Sequence, residues 1–195
     1  MNGIFIVLLV FSAFTMNLTL QCALGIKGAA EAGNYGKSAT LIKLSVIFLS
    51  VIMLWFFFSG VIFSVFSGIF IYVILFPVSY ILYETLDFLI FNYLLKKPAS
   101  EFECFISFPG GITAAAVFIC LNLADSFLET IVLSFGFTSG ILLVLLIIRE
   151  IRRRAALEAV PVFLRGKPLV LITMGMLSLI FSTASLLVLR IISVK

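Results

Sequence analysis

Residues 44–83 read LSVIFLSVIMLWFFFSGVIFSVFSGIFIYVILFPVSYILY and contain no charged side chain. A helix needs about 20 mostly apolar residues to cross the hydrocarbon core of a bilayer, so this stretch has the length of two spans. Ser59 and Gly60 separate its two apolar runs, and we expect a tight helical hairpin at that point. The stretch indicates a protein that is embedded in a membrane.

The rest of the 195-residue chain has the same character. It is 63% hydrophobic and 11% charged, whereas a soluble domain is about half apolar and about a quarter charged. So short a chain cannot bury this much apolar surface inside itself, and lipid must cover the remainder. The composition therefore predicts an all-α membrane protein that forms a single transmembrane domain over residues 1–195.

Six segments are long and apolar enough to span the bilayer, which leaves no room for a soluble domain. The predicted spans cover approximately residues 4–25, 38–58, 61–83, 105–123, 127–148 and 168–194. Residues 84–95 are amphipathic enough either to extend the third helix or to lie at the membrane interface.

The loop charges predict the orientation of these spans. Basic residues concentrate in the loops that follow the first, third and fifth helices. These residues are Lys27, Lys37, Lys96, Lys97, Arg149, Arg152, Arg153, Arg154, Arg165 and Lys167, with Lys43 just inside the second helix. The positive-inside rule places these loops in the cytoplasm and both termini outside. The arginine cluster at 149–154 is explained by this rule; a docking surface for a cytoplasmic subunit or anionic lipid is the alternative.

Three predicted helices precede the central loop and three follow it, so a duplicated half would insert in the opposite orientation. The halves are residues 1–95 and 100–195. Each opens with a glycine-interrupted segment, LGIKGAA at 24–30 and PGGITAAA at 109–116. The sequence therefore predicts about six transmembrane helices in two inverted three-helix repeats, with broken first and fourth helices. Close packing through small residues is the alternative reason for these glycines.

Several classes of protein are excluded by the residues that the sequence lacks. The chain has no histidine, which excludes a His-based triad, a His zinc site and His haem ligation. Its cysteines are an odd number without CxxC spacing and do not form a disulfide framework pattern: Cys22, Cys104 and Cys120. No phosphate loop or dinucleotide fingerprint is present. The basic residues lie in short loops, which favours a topological role over nucleic-acid binding.

The C-terminal third carries motifs of a known family. The segments IREIR at 148–152, VPVFLRGK at 160–167 and LITMGMLSL at 171–179 resemble those of the RnfA/NqrE and RnfE/NqrD membrane subunits. NLTL at 17–20, LGI at 24–26 and residues 109–117 are similar to the family's two broken-helix segments. The RnfA/NqrE branch is the better match, because the chain ends soon after the sixth helix.

The resemblance implies a membrane component of an Rnf complex or a sodium-pumping NADH:quinone oxidoreductase. Such a component lies in the bacterial or archaeal cytoplasmic (inner) membrane beside a paralogous six-helix subunit, together with other Rnf/Nqr-type subunits. The complex couples electron transfer to movement of Na⁺ or H⁺. Two cysteines from each paralogue, one on each broken helix, hold a [2Fe–2S] cluster, for which thiolates are the usual ligands.

This chain departs from the family at those ligand positions. Lys27 stands where the family has its first cysteine, and Ala115 where it has its second. Cys22 and Cys120 lie about five residues away, about 1.4 helical turns, and are the candidate substitutes as cluster ligands. Ordinary packing of both cysteines is the favoured alternative, since free cysteine is often a buried apolar residue. No cofactor is therefore assigned to this chain with certainty, and it is either a cluster-holding or a non-catalytic subunit.

Four polar residues are further candidates for function. Glu84 and Asp87 are spaced to share one side of a helical turn, where they either line an ion path or lie solvated at the interface. Asn17 is a third candidate for the ion path, and it favours a helix contact or a cavity over lipid. Lys27 either binds an anion or extends to the interface.

Two functions agree with these observations. The first is a membrane subunit that helps a redox-driven translocase move Na⁺ or H⁺. The second is a small stand-alone transporter or channel that uses the inverted repeat without redox chemistry.

Overall fold

The computed structural model describes residues 2–21, 37–62, 70–95, 109–157, 161 and 167–193. Within these ranges the chain is helical and contains no strand. The helices are α1 (Asn2–Val10, continued as a π-helix over Phe11–Thr15), α2 (Lys37–Phe57, continued over Phe58–Ile62), α3 (Phe70–Leu89, continued over Ile90–Leu95), α4 (Pro109–Leu123), α5 (Phe127–Leu157) and α6 (Lys167–Ser193).

Four of these helices are long and apolar enough to cross a membrane. The apolar segments are Thr40–Gly60, Val73–Tyr93, Phe127–Ala155 and Pro168–Val188. Large side chains on them face outward, and Phe56 and Leu179 are 69% and 70% exposed, which only lipid or another membrane subunit would make favourable. The chain is therefore a multi-pass helical membrane protein.

The two remaining apolar helices are shorter than a span. They are Ile4–Thr15 in α1 and Pro109–Leu123 in α4, the first and fourth helices of the chain. These are the two helices that the sequence predicts to be broken. The predicted interruption at 24–30 lies outside the described ranges, whereas residues 109–116, the other predicted interruption, are continuously helical in α4. In the described ranges, short helices thus occupy the first position of each half.

The ends of the first two helices differ from the predicted boundaries, whereas the third follows one of the expected arrangements. The first helix ends at Thr15 rather than near residue 25, and residues 16–21 form turns. Ser59 and Gly60 do not form a hairpin turn, because they belong to the π-helical continuation Phe58–Ile62 of α2. Residues 84–95 extend α3, which was one of the two expected arrangements.

Helix α5 continues nine residues beyond its predicted end at 148, to Leu157. Arginine and alanine favour helix, and an exposed pair between Arg154 Nε and Glu150 Oε1 at 3.0 Å joins successive turns. The arginine cluster at 149–154 is therefore part of a helical extension rather than of a loop.

Contacts along α5 show how its neighbours run. The Trp55 and Phe127 ring centroids are 6.3 Å apart at one end, and Leu41 and Leu142 line one groove towards the other end, so α2 and α5 are antiparallel. Their buried apolar side chains, with those of α3, α4 and α6, form one continuous core.

Helix α1 runs parallel to α5 and lies very close to it. Gly136 faces Ser12, and one turn later Gly140 faces Ala13 and Asn17. The glycines have the GxxxG spacing that lets two membrane helices approach closely, a signal that was present in the sequence. The start of α1 and the start of α5 therefore lie on the same side of the molecule.

Candidate functional site

Two opposite charges meet inside the apolar helices. Lys43 on α2 and Asp87 on α3 form an ion pair in which Nζ lies 2.7 Å from Oδ2, and each side chain is only 9% exposed. The Lys43 ammonium also lies 5.0 Å from the centroid of the Phe91 ring, one turn further along α3, where a cation–π contact stabilises it. Apolar helices place the pair away from water, where two charges persist only if each compensates the other.

The second oxygen of Asp87 is not satisfied in the same way. Oδ1 is buried and has no hydrogen-bond partner among the residues that the structure describes. A carboxylate has about four acceptor positions, so this one retains capacity for another donor or a cation. Unsatisfied buried oxygens are uncommon in proteins and require a physical reason.

The pair lies towards one end of the α2–α3 pair of helices. Lys43 follows Lys37, where α2 begins, by six residues or about 9 Å of helix. Asp87 precedes Leu89, the last α-helical residue of α3, by two residues. The two charges therefore stand at similar depth on neighbouring helices, at the end that the positive-inside rule assigns to the cytoplasm.

Glu84 and Asp87 do not share an environment, although their spacing suggested one side of a helical turn. Asp87 is buried against α2, whereas Glu84 is exposed. The structure therefore separates the two candidates and pairs Asp87 with Lys43, which the sequence had marked as a topological charge. The sequence did contain a signal for this ion pair, because Lys43 and Asp87 carry opposite charges at similar depth on neighbouring apolar helices.

Asn17 lies at a different place, where α1 ends against α5. Its side-chain amide donates to the Ala13 carbonyl oxygen at 3.0 Å. Its side-chain oxygen accepts from the backbone N–H groups of Thr19 at 3.2 Å and Leu20 at 3.4 Å. Such a side chain replaces the helix as partner of the following backbone amides, which ends the helix there. Asn17 is 1% exposed and forms part of a helix contact rather than a lipid-facing surface.

Cys120 is packed inside the core. It is fully buried on α4, and its thiol is hydrogen-bonded to the side chain of Ser134 on α5. Ala115 lies on the same helix and is partly buried. The other two residues of the cluster hypothesis, Cys22 and Lys27, lie outside the described residues, and their predicted roles remain predictions.

The described residues do not assemble a cluster site around Cys120. Nowhere in the described ranges do three His, Cys, Asp or Glu side chains lie close enough together to hold a metal ion. The ligand role of Cys120 stays a prediction, since Cys22 and a partner subunit lie outside what the structure describes.

Comparison with known proteins identifies relatives over part of the chain. No protein-family model matches it. It is 37% identical over 65 residues to the RnfA component of the ion-translocating oxidoreductase complex of Pectobacterium atrosepticum, and equally to that of Pectobacterium carotovorum subsp. carotovorum. The match covers 33% of this chain and 34% of each relative, so the chain spans about a third of the length of the curated relatives it matches. Over that third the chain is similar to the RnfA components of ion-translocating oxidoreductase complexes, and the predicted resemblance to the RnfA/NqrE family is confirmed.

Proposed function

We propose that this chain is a membrane subunit of an Rnf/Nqr-type electron-transport complex, where it helps couple electron transfer to movement of Na⁺ or H⁺. The observation that carries the proposal is the 37% identity to the RnfA components of two ion-translocating oxidoreductase complexes. The multi-pass helical fold and the buried charges within its apolar helices agree with an ion-moving role.

The pattern of helix contacts supports the proposed inverted repeat. An inverted repeat would relate α1 to α4, α2 to α5 and α3 to α6. The α1–α5 contact would then correspond to the α2–α4 contact, and both of these helix pairs are in contact. The same correspondence relates α1–α6 to α3–α4, and α2–α3 to α5–α6, while α2–α5 maps onto itself. The α4–α5 contact corresponds to α1–α2, and this pair is not among the closely packed pairs of the described helices.

We further propose that the chain crosses the inner membrane six times, with both termini outside. The parallel course of α1 and α5 and the antiparallel course of α2 and α5 agree with crossings that alternate in direction. The arginines at the end of α5 belong on the cytoplasmic side by the positive-inside rule.

In this assembly the chain lies beside a paralogous six-helix subunit and the subunits that carry the redox groups. Its own contribution is to shape the membrane part of the complex and to provide a route for the ion. Asp87 is the foremost candidate for the ion route because it is a buried carboxylate in an apolar helix. Glu84 and Asn17 remain candidates for the same route. Any ligand role of Cys22 and Cys120 in a shared [2Fe–2S] cluster is a separate hypothesis.

Purification of the tagged chain from its native membrane in mild detergent tests the proposal. We expect flavoproteins and a second six-helix chain to co-purify. A homo-oligomer without redox subunits would contradict the proposal and favour the stand-alone transporter.

Iron and sulfide analysis of the same preparation after Cys22→Ala and Cys120→Ala tests the cluster hypothesis. Unchanged cluster content in these variants would contradict it.

A further inference from the structure

We propose that the Lys43 ammonium is the resident cation of the Asp87 carboxylate, and that a monovalent cation, either a proton or Na⁺, binds Asp87 only in exchange for Lys43. The geometry of the pair carries this inference. Its physiological meaning, one step of ion movement, rests on the proposed function.

The first argument is the charge balance of the site. The helices packed against α3 are α2 and α4, and the charged groups that they bring are few. Helix α2 carries Lys43 and, at its first residue, Lys37, whereas no charged residue occurs on α4 between Pro109 and Leu123. On α3 itself, Glu84 is exposed. Among the described residues, Lys43 is therefore the charge that neutralises Asp87.

The second argument is the unused oxygen. A purely structural ion pair in an apolar interior is expected to satisfy both carboxylate oxygens, since burying an unpaired polar atom is unfavourable. Here Oδ2 is bound by Lys43 and Oδ1 has no partner in the described part of the chain. The carboxylate thus offers an acceptor to an incoming cation before the bond to Lys43 is broken.

The third argument is that Lys43 is able to leave. Its flexible four-carbon stem starts three residues, about 4.5 Å of helix, inside the apolar segment that begins at Thr40, so the ammonium can extend to the membrane interface. Asp87 has no such freedom, because its side chain is short and lies between helices. Departure of Lys43 alone would leave an unpaired buried charge, which is strongly unfavourable. The exchange must therefore be one cation for another, and the site is neutral before it begins and after it ends.

The test measures thermal unfolding of the purified full-length chain in NaCl and in choline chloride at equal ionic strength, and in choline chloride at pH 6 and pH 8. We compare wild type, Lys43→Met and the double variant Lys43→Met/Asp87→Asn. The wild-type midpoint should be the same in both salts. The Lys43→Met midpoint should rise on the order of 5 °C with Na⁺, with acid, or with both, because the cation now compensates Asp87.

The salt and pH arms identify the exchanging cation. A response to Na⁺ at constant pH identifies Na⁺, and a response to acid alone identifies the proton. The double variant has no charge at the site and should lose both responses. A Lys43→Met chain that responds to neither cation, or a double variant that responds as strongly, would overturn the proposal.

The variant Asp87→Asn provides a second test of the exchange, and this test remains valid if Lys43→Met fails to fold. In Asp87→Asn the ammonium has lost its partner and should move to water, so Lys43 should react at least tenfold faster with a water-soluble amine-acylating reagent than in wild type. Equal, low reactivity in both would show that Lys43 does not leave the site. These measurements use the isolated chain, so their failure leaves the co-purification result intact, and the reverse also holds.

Discussion

The substitution Gly140→Ala tests how closely α1 and α5 must pack. A Cβ atom at this position would lie 2.5 Å from the Ala13 carbonyl oxygen and 2.9 Å from Asn17 Nδ2, whereas ordinary contact begins at 3.4 Å. The Ala13 oxygen belongs to the backbone, so the helices themselves must separate. Overpacking of this kind costs about 1–3 kcal/mol.

Gly175→Ala is the matched control. Nothing lies within 4 Å of a Cβ atom at Gly175, which is also in the middle of a helix. Both variants gain the same helix propensity from alanine, so comparing them isolates the packing term. We expect Gly140→Ala to unfold on the order of 5–10 °C below Gly175→Ala, measured with a thiol- or tryptophan-based thermal assay in detergent. Equal midpoints for the two variants would refute the close α1–α5 contact.

Three further substitutions test other contacts and the orientation. Asn17→Ala should lower stability by about 1–3 kcal/mol in the same assay, since the buried Thr19 amide loses its side-chain acceptor and the Ala13 carbonyl loses the Asn17 donor. The exposed Asn122→Ala should cost less than about 0.5 kcal/mol. Gly110→Ala would place a Cβ atom 2.6 Å from Tyr80 Cδ2 and 3.2 Å from Tyr80 Cα. We expect the free energy of unfolding to fall by about 1–2 kcal/mol and Tyr80→Ala to restore part of it. Full restoration would show that the contact with the Tyr80 backbone is unimportant. Arg153→Cys, in a chain without its native cysteines, should react with a membrane-impermeant thiol reagent in inside-out vesicles only, and labelling of intact cells would reverse the proposed orientation.

The candidate ion site shows the limit of reading residues by their spacing. Glu84 and Asp87 lie three positions apart, and this spacing alone suggested a shared side of the helix. Their burial differs because α2 covers Asp87 and leaves Glu84 exposed. Lys43, assigned from the sequence to the set of topological charges, is the residue that pairs with Asp87. A contact between residues 44 positions apart depends on how two helices are rotated against each other, which neither segment encodes locally.

Other features are visible in the sequence, but only the tertiary structure shows which residues they contact. Gly136 and Gly140 have GxxxG spacing, yet only the structure shows that their partner is α1. The early end of α1 follows from Asn17, whose side chain bonds the next backbone amides. From the sequence, Asn17 indicated a helix contact or a cavity, and the structure shows the contact with α5.

The membrane class and the approximate position of the long apolar helices followed from the sequence alone, because hydropathy is a property of about 20 consecutive residues and needs no knowledge of their neighbours. Only the tertiary structure decided which helices touch, where α1 stops, and which cation balances Asp87. Those features depend on distance and orientation between segments far apart in the chain. In an apolar interior, the energy of a charge or a polar atom is set by its nearest partner.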